Sequence, residues 1–253
     1  MYPKIGIFDS YSLMVILGLI FALVFIEIYR KKKKLNRILI SIIEINGLIS
    51  AFIGFIGAVL FQNLYDFIEN PATYKWSWAM TFYGGLVFGI LSFLLGYFLF
   101  IKKKFGPCLE KDIFVFVPSC IAIAQGFGRI GCFLAGCCYG KGTTSWIGIT
   151  FPNGIGKVIP TNLMEALFLI ILGVSLLLLS LTKNGKFSLP VYLFSYSIWR
   201  FMIEFYRGDH RGEFIKGLSP SQFWSIIMFL IGIGYLAYLL IYKKRVDQER
   251  STL

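Results

Sequence analysis

Seven long apolar runs dominate the chain, and short polar segments separate them. The runs lie at about 11–29, 38–67, 78–101, 113–138, 161–182, 188–206 and 220–242. An α-helix needs roughly 20 apolar residues to cross a hydrocarbon core of about 30 Å, and each run comes near or exceeds that length. The pattern therefore predicts an all-α polytopic membrane protein with about seven transmembrane helices.

The connecting segments fall into two groups that alternate along the chain. One group comprises 30–37, 102–112, 183–187 and the C-terminal tail. The other comprises the N-terminus, 68–77, 139–160 and 207–219. The first group holds 16 Lys and Arg and the second holds seven, so we expect the N-terminus outside and the C-terminus in the cytoplasm. The Gly, Thr and Pro-Asn-Gly content of 139–160 predicts a small extended excursion on the outer face.

The composition agrees with a membrane protein. Of the 253 residues, 57% are hydrophobic and 15% are charged, against about 25% charged in soluble domains. The net charge of +12 comes from residues between the apolar runs, so it reflects membrane topology and nucleic acid is not an expected partner. The first run lacks a basic segment before it and a small-residue cleavage site after it. We therefore expect it to remain as a span, and residues 1–253 to form a single integral membrane domain.

Three stretches place polar or small residues inside the predicted spans. They are FYGGLVFG (82–89), GFGRIGCFLAG (126–136) and YSIWRFMIEFYRG (196–208). At a rise of about 1.5 Å per residue, Tyr83, Arg129 and Arg200 all come to the outer half of the bilayer. Ionisable residues within spans are costly and mark functional sites. We expect the three stretches to meet in a polar cavity that opens toward the outer leaflet.

Arg129 and Arg200 are the candidate anion-binding residues. Arg129 has no acidic residue within one helical turn, so its partner must come from another helix or from a ligand. Arg200 shares one helical face with Tyr196 and Glu204. One interpretation is that Arg200 and Glu204 only neutralise each other. The other is an anionic ligand, most naturally a phosphate, which a guanidinium binds with two hydrogen bonds.

Other residues are expected to border the same cavity. Arg207 lies at its outer mouth, and Glu165 lies at the outer start of the fifth span. Small residues let membrane helices pack closely, which explains part of the glycine content. Gly84, Gly85, Gly128 and Gly131 are also predicted to let the backbone approach a lipid head group.

The cysteines do not form a standard metal motif. Cys132, Cys137 and Cys138 lack the C-x2-C spacing of structural zinc sites, and the single histidine, His210, belongs to another outer segment. Small apolar side chains are the simplest interpretation. A reactive thiol, an outward-facing disulfide and a metal site are the alternatives. We expect no metal and no cofactor.

At these positions the sequence resembles the bacterial prolipoprotein diacylglyceryl transferase family. GRIGCFLAG resembles the family's G-R-x-G-N-F-x-N-x-E signature, and FYGGLVFG resembles its F-H-G-G-L element. IPTNLMEAL is similar to the H-P-T-Q-L-Y-E-A block, and YSIWRFMIEFYRGD is similar to Y-G-x-x-R-F-x-x-E-x-x-R-x-P-D. GLSPSQFWSI is similar to the closing G-L-x-x-x-Q segment. These blocks occur in the family's order and extend over most of the chain.

The resemblance implies a seven-span enzyme of the bacterial plasma (inner) membrane. Such an enzyme transfers a diacylglyceryl group from phosphatidylglycerol to the lipobox cysteine thiol in the signal peptide of a prolipoprotein, the first step of lipoprotein maturation. Its partners are membrane lipid and the prolipoprotein. Carried over by position, Arg129 holds the phospholipid head group, and Arg200, Tyr196, Glu204 and Arg207 occupy matching places.

The sequence also departs from the family pattern. Tyr83 replaces the histidine of H-G-G-L, and Met164 replaces the tyrosine of L-Y-E. Cys132 and Ala135 replace the two asparagines of the signature, and Cys137 replaces its glutamate.

Because these departures include the family's histidine and glutamate, the residue that accepts the proton of the acceptor thiol must be chosen anew, and functions other than this transfer remain as alternatives. Arginine stays protonated, so Tyr83 and Glu204 are the candidate bases for the acceptor thiol. The alternative functions are a divergent relative that serves another acceptor or group transfer through a cysteine nucleophile, a lipid-binding protein without chemistry, and a membrane thiol oxidoreductase.

Overall fold

The computed structural model describes residues 4–5, 8–69, 71–78, 81–108, 112–151, 156–208 and 217–251. The chain divides into two compact units. One unit consists of Met1–Lys32 and Glu110–Leu253, and the other consists of Lys33–Leu109.

Long helices account for most of the described chain. In chain order the elements are β1 (Lys4–Ile5), β2 (Phe8–Asp9), α1 (Ser10–Lys33), α2 (Arg37–Glu69), α3 (Phe82–Gly96), a π-helical turn (Tyr97–Ile101), α4 (Lys102–Phe105), α5 (Phe114–Ala135), β3 (Ile149–Phe151), β4 (Gly156–Val158), α6 (Thr161–Leu181), a 3-10 turn (Gly185–Phe187), α7 (Ser188–Glu204) and α8 (Pro220–Ser251). Within these residues, six helices are long and apolar enough to cross a membrane. The 17-residue α7 is shorter, and it coincides with the remaining predicted span. The all-α polytopic fold is confirmed, while the orientation of the termini and the single domain stay predictions.

Local hydrogen bonds explain where several helices begin. The carboxylate of Asp9 accepts from the backbone N–H of Ser12 at 2.9 Å, and the side chain of Asn36 accepts from that of Ile38 at 2.8 Å. Ser219 and Gln222 bond reciprocally at the start of α8, as a capping box requires. Each contact satisfies a backbone donor that the first helical turn leaves without a partner.

Several predicted boundaries differ from those observed by a few residues, and the start of the third helix and the end of the last one have an identifiable cause. The third helix begins at Phe82, not at 78, because the side chain of Asn63 bonds both the N–H and the C=O of Ser77 and holds that segment in an extended path. The last helix runs to Ser251 and not only to 242. Its polar C-terminal part, KKRVDQERS, is rich in residues that favour helix. The helix therefore extends beyond the apolar run from which it was predicted.

In the first unit, α5, α6 and α7 share a packed core. Ala122 of α5, Leu169 and Leu176 of α6, and Tyr192 and Tyr196 of α7 are members of one buried cluster. Large apolar side chains elsewhere on these helices are exposed, such as Ile121, Ile171 and Ile198, as expected for surfaces that face lipid. Polar groups on the inward faces are therefore placed among buried side chains.

The predicted extended excursion is present as a small β-structure. Strands β3 and β4 pair antiparallel, with Ile149 opposite Val158. Phe151 is almost fully buried, and its ring lies 5.9 Å from that of Phe133 near the end of α5. The hairpin is thereby anchored to the end of that helix.

Candidate functional site

A fully buried carboxylate, that of Glu165, lies at the centre of the candidate site. Glu165 belongs to the first turns of α6, and its side chain has 0% exposure. Its Oε2 lies 3.0 Å from Nε of Arg129 on α5 and 3.3 Å from Nη1 of Arg200 on α7. The hydroxyl of Tyr196 donates to Oε1 at 3.1 Å. Three helices thus bring four polar side chains together from three distant parts of the sequence, and the acidic partner of Arg129 comes from α6.

Arg200 links this carboxylate to a second one. Its Nη2 lies 3.1 Å from Oε2 of Glu204 and donates to Oγ of Ser221 at 2.7 Å. Nε of Arg207 lies 3.9 Å from the same oxygen of Glu204. That oxygen is buried, and within the described part of the chain no donor is aligned to hydrogen-bond it. Glu204 is therefore held by charge attraction to Arg200 and Arg207, without an aligned hydrogen bond to this oxygen from the described residues.

The cluster carries an excess of positive charge. Three guanidinium groups, those of Arg129, Arg200 and Arg207, stand against the carboxylates of Glu165 and Glu204. The side chain of Arg129 is 21% exposed, against 9% for Arg200 and 3% for Arg207. A guanidinium has five N–H donors, and Nε of Arg129 directs one toward Glu165. Arg129 is thus the member of the cluster best placed to bind an incoming anion.

The excursion after α5 fixes the position of Arg207. Gly140 forms an isolated antiparallel bridge with Arg207, and the N–H of Lys141 donates to the carbonyl of Tyr206 at 2.8 Å. A Cβ on Gly140 would lie 2.6 Å from the carbonyl oxygen of Tyr206, so this close approach requires glycine. The segment is therefore part of the site's framework.

A second polar pair extends the site along α5 and α7. The hydroxyl of Tyr192 donates to Oε1 of Gln125 at 2.8 Å, and the Tyr192 ring stacks on Tyr196 at 5.8 Å. The sequence did not lead us to this pair or to Ser221. The sequence signal that could have identified the pair is its spacing. Gln125 lies one helical turn before Arg129, and Tyr192 lies one helical turn before Tyr196.

The predicted glycines lie in different environments. A Cβ on Gly84 would lie 2.7 Å from a backbone oxygen of α2, and one on Gly85 would lie 3.3 Å from another. A Cβ on Gly131 would lie 3.0 Å from the ring of Tyr11. These three glycines therefore allow close helix packing. A Cβ on Gly128 would meet nothing within 4 Å, so close helix packing does not require a glycine at that position.

The structure describes two of the three polar stretches as parts of one unit. The stretches of α5 and α7 meet at Glu165, as above. Tyr83 belongs to the Lys33–Leu109 unit with Gly84 and Gly85, and its side chain lies outside the described residues. Residues 209–216, which include His210, also lie outside them.

The three cysteines after Arg129 lie together. The Sγ atoms of Cys132, Cys137 and Cys138 are all within 4.8 Å of one another, and none of the three cysteines is in a disulfide. For Cys137, which follows the end of α5, a hydrogen bond with Cys132 lowers the thiol pKa, but a hydrogen bond with Cys138 and desolvation outweigh it and raise the pKa.

Comparison with known proteins places the chain in a family. The family model described as prolipoprotein diacylglyceryl transferase matches residues 4–238. The chain belongs to the prolipoprotein diacylglyceryl transferase family. The match spans both units and contains every residue of the candidate site.

Individual members of the prolipoprotein diacylglyceryl transferase family align over much of the chain. The phosphatidylglycerol–prolipoprotein diacylglyceryl transferase of Clostridium tetani is 37% identical over 233 residues, which cover 88% of this chain and 90% of that protein. The enzyme numbered 2 of Clostridium perfringens is 42% identical over 160 residues, 60% of this chain and 59% of that protein. The enzyme of Francisella tularensis subsp. novicida is 32% identical over 188 residues, 71% of this chain and 68% of that protein.

Proposed function

We propose that this chain transfers a diacylglyceryl group from phosphatidylglycerol to the lipobox cysteine thiol of a prolipoprotein, in the bacterial plasma membrane with its N-terminus outside. The observation that carries the proposal is the convergence of Arg129 and Arg200 on buried Glu165, within a chain that the family model covers. The names of the relatives supply the lipid and the acceptor class.

The phosphodiester of the lipid binds at Arg129. This guanidinium is partly exposed and belongs to a cluster of three arginines and two glutamates. Glu165 orients Arg129 through the 3.0 Å contact at Nε, and the phosphate takes N–H donors of the guanidinium that this contact does not use. A planar guanidinium binds phosphate oxygens through two parallel hydrogen bonds.

The reaction is a substitution at the carbon of the diacylglyceryl group that is bonded to the phosphate oxygen. The acceptor thiol gives up its proton, because the thiolate is the nucleophile. Its sulfur forms a bond to that carbon, the carbon–oxygen bond breaks, and glycerol phosphate leaves with the electron pair. Arg129 and Arg200 stabilise the charge that develops on the leaving phosphate. The product is a thioether.

Glu204 is the base that we assign to the acceptor thiol. Its buried Oε2 has no aligned hydrogen-bond donor among the described side chains, although Arg200 lies 3.1 Å away. Tyr83 remains the other candidate, since it occupies the place of the family's histidine. Tyr196 and Arg207 serve to position the two acidic residues through their contacts at 3.1 Å and 3.9 Å.

The direct test uses the purified full-length protein, phosphatidylglycerol and a lipobox peptide. We expect mass spectrometry to find a diacylglyceryl adduct on the peptide cysteine, and none on a peptide with serine in its place. Phosphatidylcholine should replace phosphatidylglycerol poorly as donor. Binding of phosphatidylglycerol without any adduct would contradict the transferase and favour a lipid-binding protein or a different acceptor.

A further inference from the structure

The thiol cluster of Cys132, Cys137 and Cys138 is produced by the way α5 ends. Gly136 adopts a left-handed conformation, with φ of 76°, directly after the helix. Its N–H donates to the carbonyl of Phe133 at 3.0 Å, and the N–H of Cys137 donates to the carbonyl of Cys132 at 3.0 Å. This is the Schellman helix end, in which the side chains of the two outer residues regularly contact each other. Here both of those residues are cysteine.

The third thiol is brought in by an unusual backbone conformation. Cys138 has φ of 60°, which non-glycine residues seldom adopt unless their surroundings hold them there. Two fully buried side chains of α6 supply that support. Oγ1 of Thr161 donates to the carbonyl of Cys138 at 3.2 Å, and Nδ2 of Asn162 donates to the carbonyl of Cys137 at 2.9 Å. The thiol cluster is therefore set in place by a defined loop with buried anchors.

We propose that the thiol cluster binds a thiophilic divalent cation, with Zn²⁺ as its representative, through three thiolates. Zinc–sulfur bonds of about 2.3 Å place ligand sulfurs about 3.8–4.0 Å apart in tetrahedral or trigonal geometry. The sulfurs here lie within 4.8 Å of one another, so small side-chain rotations complete the site. Cys137 is exposed, so an ion can reach the site from solvent. Cys132 is buried, so one side of the site is shielded from water.

Charge also favours a metal at this place. Three thiolates around a divalent ion carry one net negative charge, and Arg129 lies one helical turn before Cys132 on the same helix. A site with three protein ligands keeps its fourth position open to water or to an external ligand, unlike the closed four-ligand structural zinc sites. The C-x4-C-C spacing supplies these ligands without the C-x2-C motif.

Disulfide formation within the thiol cluster is the main alternative to metal binding. It would join two sulfurs, release two electrons to an oxidant and leave the third thiol unused. Metal binding uses all three thiols, and it changes no oxidation state. The two outcomes are therefore separated by counting thiols and bound ions in the same sample.

The test is titration of the reduced, purified full-length protein with Cd²⁺, followed by displacement with Zn²⁺. We expect one Cd²⁺ per chain, with thiolate-to-cadmium charge-transfer absorption in the ultraviolet and a rise in Tm that Zn²⁺ reproduces. Cys137→Ser should weaken binding by at least about 100-fold, since loss of even an outer-shell partner costs 10–100-fold. Cys137 is exposed, so this variant should keep the Tm of the metal-free parent.

The matched control removes the other two cysteines. A Cys108→Ala/Cys120→Ala variant keeps only the thiol cluster, and we expect unchanged Cd²⁺ stoichiometry and affinity. Absence of binding, binding that Cys137→Ser leaves unchanged, or a protein isolated with only three free thiols in place of five would each overturn the proposal. Every readout is of binding, so the outcome is independent of transferase activity.

Discussion

Arg129 and Glu165 form an ion pair, with 3.0 Å between Nε and Oε2, that joins α5 to α6. The arginine is 21% exposed, and the glutamate is completely buried. The same glutamate oxygen lies 3.3 Å from Arg200, so one carboxylate holds two cations. We therefore expect Glu165 to stabilise the packing of α5, α6 and α7 and to hold Arg129 in the orientation proposed for phosphate binding.

Glu165→Gln should destabilise the protein strongly. Removing one partner of a buried ion pair costs about 3–5 kcal/mol, because the remaining charge is left without compensation. The control is Glu27→Gln in α1, whose 40% exposed carboxylate pairs with Arg30. A pair of that kind contributes about 0–1 kcal/mol. Thermal unfolding in detergent measures both variants, and equal losses of stability would contradict the central place of Glu165.

Arg129→Gln should abolish most of the transfer while leaving the protein folded in the membrane. Loss of one preorganised donor to a developing charge lowers rates by about 100- to 1000-fold. Arg129→Lys keeps the positive charge but loses the planar guanidinium that forms two hydrogen bonds with phosphate. We therefore expect its transfer rate to lie between those of the parent and Arg129→Gln. Adduct formation on a lipobox peptide gives the rates, and Arg30→Gln in α1 is the control for removing a paired arginine. Activity of Arg129→Gln close to that of the parent would exclude the proposed phosphate contact.

The helices could be predicted more fully than the site because the bilayer fixes their length but not their rotation. The run at 161–182 predicted α6, observed at Thr161–Leu181, almost residue for residue. That Glu165 would contact Arg129 depends on how α5 and α6 turn toward each other, which no local pattern encodes. The thiol cluster was not predicted because its geometry depends on left-handed Gly136, whereas the spacing alone matched no metal motif.

Glu204→Gln should slow the transfer in a way that depends on pH. The glutamine cannot accept a proton, so the reaction must use acceptor thiol that has already ionised in solution. An unperturbed cysteine has a pKa near 8.5, and its thiolate fraction rises as the pH approaches that value. We therefore expect the defect to be largest near pH 7 and to shrink by about tenfold or more toward pH 9.

Tyr83→Phe is the companion variant for the assignment of the base. It should show a small defect that does not vary with pH. If the defect of Tyr83→Phe shrinks with rising pH and that of Glu204→Gln does not, the role of base belongs to Tyr83. Binding of phosphatidylglycerol, measured separately, should be unchanged in Tyr83→Phe.

Gly140→Ala should reduce stability and activity together, because the backbone crossing beside Arg207 has no room for a side chain. The added Cβ would lie 2.6 Å from the carbonyl oxygen of Tyr206 and 2.8 Å from that of Ile159. Both contacts are with backbone, so relief requires the segment to move, at a cost of about 1–3 kcal/mol. Gly142→Ala is the matched control two residues later, since its Cβ would meet nothing within 4 Å. Thermal unfolding and peptide modification should show losses for Gly140→Ala alone. Unchanged activity in a clearly destabilised Gly140→Ala protein would show that the excursion supports the fold without positioning Arg207 for the reaction.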